Sequence, residues 1–320
     1  MSTAAVWQQF GQASGRLGRR ERRRVLQTCG VAFVASIPSP SSGEVHVGGV
    51  ALHAYGVMLL LGILAAVWLT GVRWTRRGGD WDLVFRVAMW GVAGGIVGAR
   101  LYHVITSWSE VPEPKWQGVF EIWRGGLGVW GGIAGGVLVG AIVVKRSGNS
   151  VYSFMDAVAP GLLLAQAIGR WGNYFNQELF GKPTNLPWGL EIDVQNRPAQ
   201  YVNSDTFHPT FLYESLWNFL GVGVLLLIDR RFRIRPPGLF ALYVAWYTAF
   251  RAFEETLRID PSHKYFGMRL NFYVSVVLFV FSLVVFWWSQ RRSGEPRRPR
   301  KVTEAPKGPA MALPKGRVRR

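Results

Sequence analysis

The sequence predicts an all-α polytopic membrane protein with seven transmembrane helices, the N-terminus outside and the C-terminus cytoplasmic. Apolar runs of about 20 residues, enough to cross a hydrocarbon core of ~30 Å, recur along the chain. Charged residues make up only 18% of the chain and are bunched between those runs, where a soluble domain would carry about a quarter. The 38 Gly and 15 Trp fit glycine within membrane helices and tryptophan at the interfaces.

Taken in order, residues 1–45 read as an N-terminal extension and lead-in. Residues 1–24 are polar and hold six arginines, five of them within Arg19–Arg24. The apolar run Val25 to Ile37 is too short to span, and no small-residue cleavage site follows it. A membrane catalytic domain is expected over 46–290, with spans near 50–70, 83–106, 127–144, 151–170, 207–228, 238–257 and 270–289. Gly91, Gly94, Gly95 and Gly98 in the second span, and Gly131, Gly132, Gly135, Gly136 and Gly140 in the third, clear a groove on each helix and allow close contact. The 171–206 link, with Pro183, Pro187, Pro198 and Trp188, reads as an ordered outer loop. The tail 291–320 has 11 basic and 2 acidic residues among Pro and Gly, and is expected to be disordered and cytoplasmic. It supplies half of the +18 formal charge, which points to anionic lipid headgroups rather than nucleic acid. Cys29 is the only cysteine, which excludes an internal disulfide and any cysteine-based metal cluster.

Loop charge sets the orientation. The link 71–82 has three arginines against two aspartates, 145–150 has Lys145 and Arg146, and 229–237 has four arginines against one aspartate. Between them, 107–125 has three acids against two bases and 171–206 four against two, whereas 258–269 is the basic exception. The positive-inside rule then starts the first helix outside. The arginines at 19–24 argue the other way, but lie too far from the first span to count strongly.

With that orientation the ionisable groups fall in one layer. His53 and Tyr55 stand at the outer end of the first span and Arg100 and His103 toward the outer end of the second. Arg170, Asn173, Asn176 and Glu178 follow the fourth, His208 opens the fifth, and Tyr247, Arg251, Glu254 and Glu255 occupy the outer half of the sixth. The inner halves hold almost none. Charge at the edge of hydrocarbon is costly and marks a functional site. A one-sided polar chamber fits an enzyme acting on a headgroup at the outer leaflet. The alternative, a transporter or channel for an anionic lipid or solute, would need polar groups along the whole path.

Arg251 and Glu255 are four apart on one helical face. Arg170 has no local partner before Glu178, so two guanidinium groups would repel each other across the chamber unless an anion sits there. A phosphate fits, because a guanidinium fork matches its oxygens bidentately.

The run Gly169-Arg170-Trp171-Gly172-Asn173-Tyr174-Phe175-Asn176-Gln177-Glu178-Leu179-Phe180-Gly181 resembles the signature of the prolipoprotein diacylglyceryl transferases. Ala54-Tyr55-Gly56, Gly98-Ala99-Arg100-Leu101, the segment His208-Pro209 through Glu214, and the group Tyr247, Arg251 and Glu255 extend the resemblance to nearly all of 31–290. It implies a multi-pass enzyme of the bacterial plasma membrane that moves the diacylglyceryl group of phosphatidylglycerol to the lipobox cysteine thiol of prolipoprotein signal peptides. The products are a thioether and glycerol 1-phosphate, with phosphatidylglycerol as co-substrate and no cofactor or metal. The resemblance carries over Tyr55, Arg170, Asn173, Glu178, Arg251 and Glu255 as functional; Arg170, Arg251, Glu178 and Glu255 are expected to be catalytic, and Asn173, Asn176 and Tyr55 to bind substrate. His208, Tyr247, His103 and Arg100 complete the expected substrate-binding set. Many family members carry a histidine, favoured as the base, where this chain has Trp130. Either the base is elsewhere, with His103, Glu178 and Glu255 as candidates to take the thiol proton, or proton removal is not the demanding part of the reaction.

Overall fold

The computed structural model describes residues 36–291 apart from 41, 48, 49, 261 and 263. The arginines at 19–24, Cys29, most of the run Val25 to Ile37 and the basic tail beyond 291 lie outside the described residues. Seven long helices occur among the described residues: α1 Ala54–Arg76, α2 Trp81–Thr106, α3 Val129–Arg146, α4 Val151–Phe175, α5 Thr210–Arg231, α6 Gly238–Leu257 and α7 Leu270–Arg291. Six of them, all but α6, are long and apolar enough to cross a membrane. The last two turns of α6 hold Arg251, Glu254 and Glu255, and these break its apolar run. The chain is thus an all-α polytopic membrane protein with about six long apolar helices, carrying small two-stranded hairpins at its links.

Local chemistry explains several boundaries. Asp80 caps α2, its side chain accepting from Leu83 N at 2.7 Å, and Ser150 caps α4 in the same manner. α1 runs to Arg76, six residues past the expected end, and ends beside the positive-φ Gly78. Facing glycines set the helix packing as expected. A Cβ at Gly98 would lie 3.0 Å from Gly135 Cα, and one at Gly94 would lie 3.1 Å from Gly135 O, so α2 and α3 pack backbone to backbone. Gly62 of α1 meets Ala165 of α4, and Gly161 of α4 meets Ala66 of α1.

One end of the bundle carries a cap assembled from three separated links. Ile37 bridges Leu190 in parallel, and Leu190–Glu191 pairs antiparallel with Thr206–Phe207. Pro183 bridges Phe207, and Gly181 bridges Arg258. Residues 36–40, expected as lead-in, therefore form an edge of this cap, and the hairpin Glu44–Val47/Val50–His53 leads from it into α1. Phe180, Leu190, Ile192, Phe207 and Phe211 form its apolar core.

The far end corrects one expectation: ionisable groups are not confined to a single layer. Arg73, placed in a loop by sequence, lies buried in α1. It donates to the carbonyls of Asp156 (2.8 Å) and Ala157 (2.9 Å) and pairs with Asp229 at 3.2 Å. Arg77 pairs with Asp229 at 2.7 Å, and buried Asp156 caps α6 by accepting from Phe240 N at 2.9 Å. Every one of these contacts joins one helix end to another, so the cluster is a structural clasp. Between it and the cap end, Leu163, Leu225 and Leu239 form an apolar plug.

Candidate active site

The signature segment is helical for longer than its glycines suggest. α4 continues through Phe175, so Arg170 and Asn173 lie inside the helix rather than after it, and Asn176 occupies the C-cap. Gly172 serves close packing rather than a turn, since a Cβ there would meet the Tyr55 ring at 2.6 Å. The turn itself falls at Gln177 (φ 50°) and Leu179 (φ 58°), left-handed conformations that non-glycine residues seldom adopt. Gln177 is held there by donating to Asp193 Oδ2 (2.6 Å) and Pro40 O (3.2 Å), and by accepting from Asp193 N (2.9 Å) and Asn196 Nδ2 (3.2 Å). Such over-determination around an unfavourable backbone is typical of functional turns.

From that turn a continuous polar network runs across α4, α5, α6 and the start of α7. Glu178 Oε1 accepts from Asn173 Nδ2 at 2.8 Å and from Asn176 Nδ2 at 3.5 Å. Asn173 Oδ1 accepts from Arg170 Nη1 at 3.4 Å, and Arg170 Nη2 stands 2.5 Å from Glu214 Oε2. The same Glu214 oxygen is 4.0 Å from Arg251 Nη1, which also reaches Glu254 at 2.6 Å, while Arg251 Nη2 reaches Glu255 at 2.5 Å. Beyond it, Arg269 Nε meets Glu255 at 2.6 Å and Arg269 Nη2 meets Asp260 at 2.7 Å.

The two arginines thus converge, and the anion between them is a carboxylate of the protein. Glu214 was not among the expected site residues. Its signal was present, because it is a carboxylate within an apolar span, but its partners lie 44 and 37 positions away and no local pattern links them. Arg269 escaped similarly, whereas Glu254, three residues from Arg251, was placed in the polar layer without a role in the site. The network balances four guanidinium groups, Arg170, Arg251, Arg258 and Arg269, against four carboxylates, Glu214, Glu254, Glu255 and Asp260; Arg269 and the three glutamates are buried and the others half-buried. Balance is what a low-dielectric interior demands, since an unpaired buried charge costs several kcal/mol. Glu178, by contrast, is exposed at the edge of the network.

Among the other expected residues, Tyr55 packs on Gly172, and Tyr247 lies one turn before Arg251, within electrostatic reach of Arg170, Arg251 and Glu214. Arg100 and His103 form a separate group. Arg100 donates to the carbonyls of Val119 (2.9 Å), Gly125 (2.8 Å), Gly126 (2.9 Å) and Gly118, organising the link before α3, and His103 lies against Gly126. His208 precedes α5 and shares a 3.2 Å contact between its Nδ1 and Tyr213 Oη. Burial and the nearby Lys182 charge hold its pKa below the usual histidine value. Trp130 is exposed near the start of α3.

Fold and site together define a class: a multi-pass membrane protein with a buried, charge-balanced guanidinium–carboxylate network at one end of its bundle. A profile of the prolipoprotein diacylglyceryl transferase family matches residues 44–288. The chain belongs to that family. It is 50% identical over 252 residues to phosphatidylglycerol--prolipoprotein diacylglyceryl transferase 2 of Streptomyces coelicolor, covering 77% of this chain and 78% of that protein. It is 47% identical over 262 residues to the phosphatidylglycerol--prolipoprotein diacylglyceryl transferase of Cutibacterium acnes, covering 81% of this chain and 88% of that protein. With the Mycobacteroides abscessus protein it shares 43% over 265 residues, covering 78% and 77%.

Proposed function

We infer that this protein transfers the diacylglyceryl group of phosphatidylglycerol to the lipobox cysteine thiol of prolipoproteins. The cysteine sulfur forms a C–S bond to the glycerol carbon, the bond from that carbon to the phosphate oxygen breaks, and glycerol 1-phosphate leaves. The observation that carries the site assignment is the meeting of Arg170 and Arg251 on one oxygen of Glu214.

In this reading seven helices span the membrane, α6 included, with the N-terminus outside. The cap end faces the outer leaflet, so the network lies at headgroup depth, and the tail is cytoplasmic. The lipid phosphate docks on the donor edges of Arg170 and Arg251 and shares them with Glu214. Negative charge grows on the leaving oxygen as the C–O bond breaks, and donors fixed beforehand stabilise it without reorganisation. Asn173 orients the headgroup, itself held by Glu178. Glu255, fixed between Arg251 and Arg269, positions the arginine. Glu178, the exposed carboxylate of the network, takes the thiol proton and passes it to the phosphate monoester, which leaves the buried charge balance unchanged over a turnover. Acyl chains remain in lipid throughout.

The test is to incubate the purified protein with phosphatidylglycerol and a lipobox peptide and read the peptide mass. A diacylglyceryl adduct is expected on the cysteine peptide, none on its cysteine-to-serine control, and none with Arg170→Ala or Arg251→Ala protein that still inserts in the membrane. Normal turnover by either variant would overturn the site assignment.

A further inference from the structure

A second site lies beside the arginine network, on a neighbouring face of α5 and α6. A groove of about 550 Å³ opens there between Leu216, Trp217 and Leu220 of α5 and Phe250, Phe253 and Leu257 of α6. Its floor is rigid. Trp217 stacks on Trp246 with ring centres 4.4 Å apart and on Phe250 at 5.3 Å. The two indoles also exchange hydrogen bonds with each other's backbone: Trp217 Nε1 donates to Trp246 O at 3.0 Å, and Trp246 Nε1 to Trp217 O at 3.1 Å. The polar atoms of the floor are therefore consumed, and the groove walls are apolar.

The cap end of the groove is different. His208 and Tyr213 close it, and Trp188 from the 171–206 link donates to Tyr213 Oη at 2.9 Å. His208 Nδ1 lies 3.2 Å from the same Tyr213 oxygen; in the tautomer that accepts the hydroxyl proton there, the neutral ring carries its own proton on Nε2 as a donor. Lys182 is tied over the same end, its backbone N–H bound to Leu257 O at 2.9 Å and its carbonyl accepting from His208 N at 3.0 Å. Its side chain is exposed. A hydrocarbon slot thus ends beneath a cation and an N–H donor.

The dimensions choose the occupant. Tyr213 to Leu220 is seven residues, about 10 Å of helix at ~1.5 Å per residue, which is less than one ~15 Å leaflet. A transmembrane signal helix, which needs ~30 Å of apolar length to cross the hydrocarbon core, would overrun it. A single acyl chain fits. The exposed Leu216, Leu220 and Phe253 make the groove continuous with the lipid-facing surface.

We propose that this groove is a second, non-catalytic lipid site that holds one acyl chain of an anionic phospholipid, with its phosphate between Lys182 and His208. It does not depend on the transfer reaction. The test uses the full chain in phosphatidylcholine nanodiscs doped with phosphatidic acid carrying a photoactivatable acyl chain, or with matched photoactivatable phosphatidylcholine, followed by peptide mapping. Phosphatidic acid is expected to label 213–220 and 250–257 about fivefold more than phosphatidylcholine, the weight of one cation facing an anionic headgroup. Lys182→Glu should remove that excess, and Leu216→Trp or Leu220→Trp, which fill the slot from an exposed position, should remove the labelling itself. Equal labelling by the two lipids would overturn the proposal. So would a photoactivatable signal peptide that labels these segments and displaces phosphatidic acid.

Discussion

Glu214→Gln tests the site most searchingly, because it removes one negative charge and almost no volume. Arg170 and Arg251 nitrogens stand 2.5 and 4.0 Å from the same Glu214 oxygen. The two nitrogens are then no more than about 6.5 Å apart, and at an effective dielectric of ~20 two charges at that distance repel by about 2.5 kcal/mol. Removing one partner from a buried pair costs about 3–5 kcal/mol in total, which exceeds that repulsion. For a chain of this size the unfolding midpoint should fall by roughly 10 °C. A phosphate able to bind between the guanidinium groups should restore more to the variant than to the parent, since in the parent it must share donors with the carboxylate. The assay is tryptophan-detected thermal unfolding of detergent-solubilised protein, with and without glycerol 1-phosphate. At ~100 times the parent's dissociation constant the ligand adds about 2.7 kcal/mol to the parent, and at that same concentration the gain should be larger in Glu214→Gln. Unfolding of the variant at the parent temperature would refute the reasoning, as would equal gains from the ligand.

Arg251→Lys should lower turnover by about tenfold or more, because one ammonium cannot face Glu254, Glu255 and a phosphate with fixed forks; adduct formation per minute measures it. Asp260 is part-buried, which disfavours its charge, but hydrogen bonds from Arg258 and Arg269 outweigh that and hold its pKa below the usual 3.8. A depressed carboxylate adds stability that is full above pH ~4 and lost as pH falls through its folded value. Asp260→Asn should therefore lower the unfolding temperature at pH 7 and flatten its decline between about pH 4 and pH 2, as melting curves across pH would record. Gly98→Val should cost about 1–3 kcal/mol by forcing α2 from α3, read as a lower unfolding temperature at unchanged helix content by circular dichroism.

Local patterns were legible in the sequence and long-range ones were not. The apolar runs placed each long helix to within six residues at either end, and the paired glycines foretold the α2–α3 contact, because length and spacing within one segment determine both. Arg251 with Glu255 was visible as an i, i+4 pair. Glu214 was not, since its role depends on which face α5 turns toward α4 and α6, and its Trp217-bearing face is equally apolar in sequence. Arg73 counted as a loop cation until α1 proved to run to Arg76, where Asp229 and two carbonyls draw it inward. Arg100 looked like a headgroup ligand by depth alone, and only the folded 107–128 link shows its donors bound to backbone carbonyls. Residues 36–40 carry no strand pattern, and they pair because Leu190 offers an edge.

The most direct measurement is an experimental structure of the protein in phosphatidylglycerol-containing nanodiscs. The account requires a lipid phosphate within about 3 Å of both Arg170 and Arg251, with Glu214 drawn back from at least one of them. A headgroup bound elsewhere in the bundle, with both guanidinium groups still engaged only by carboxylates, would contradict it.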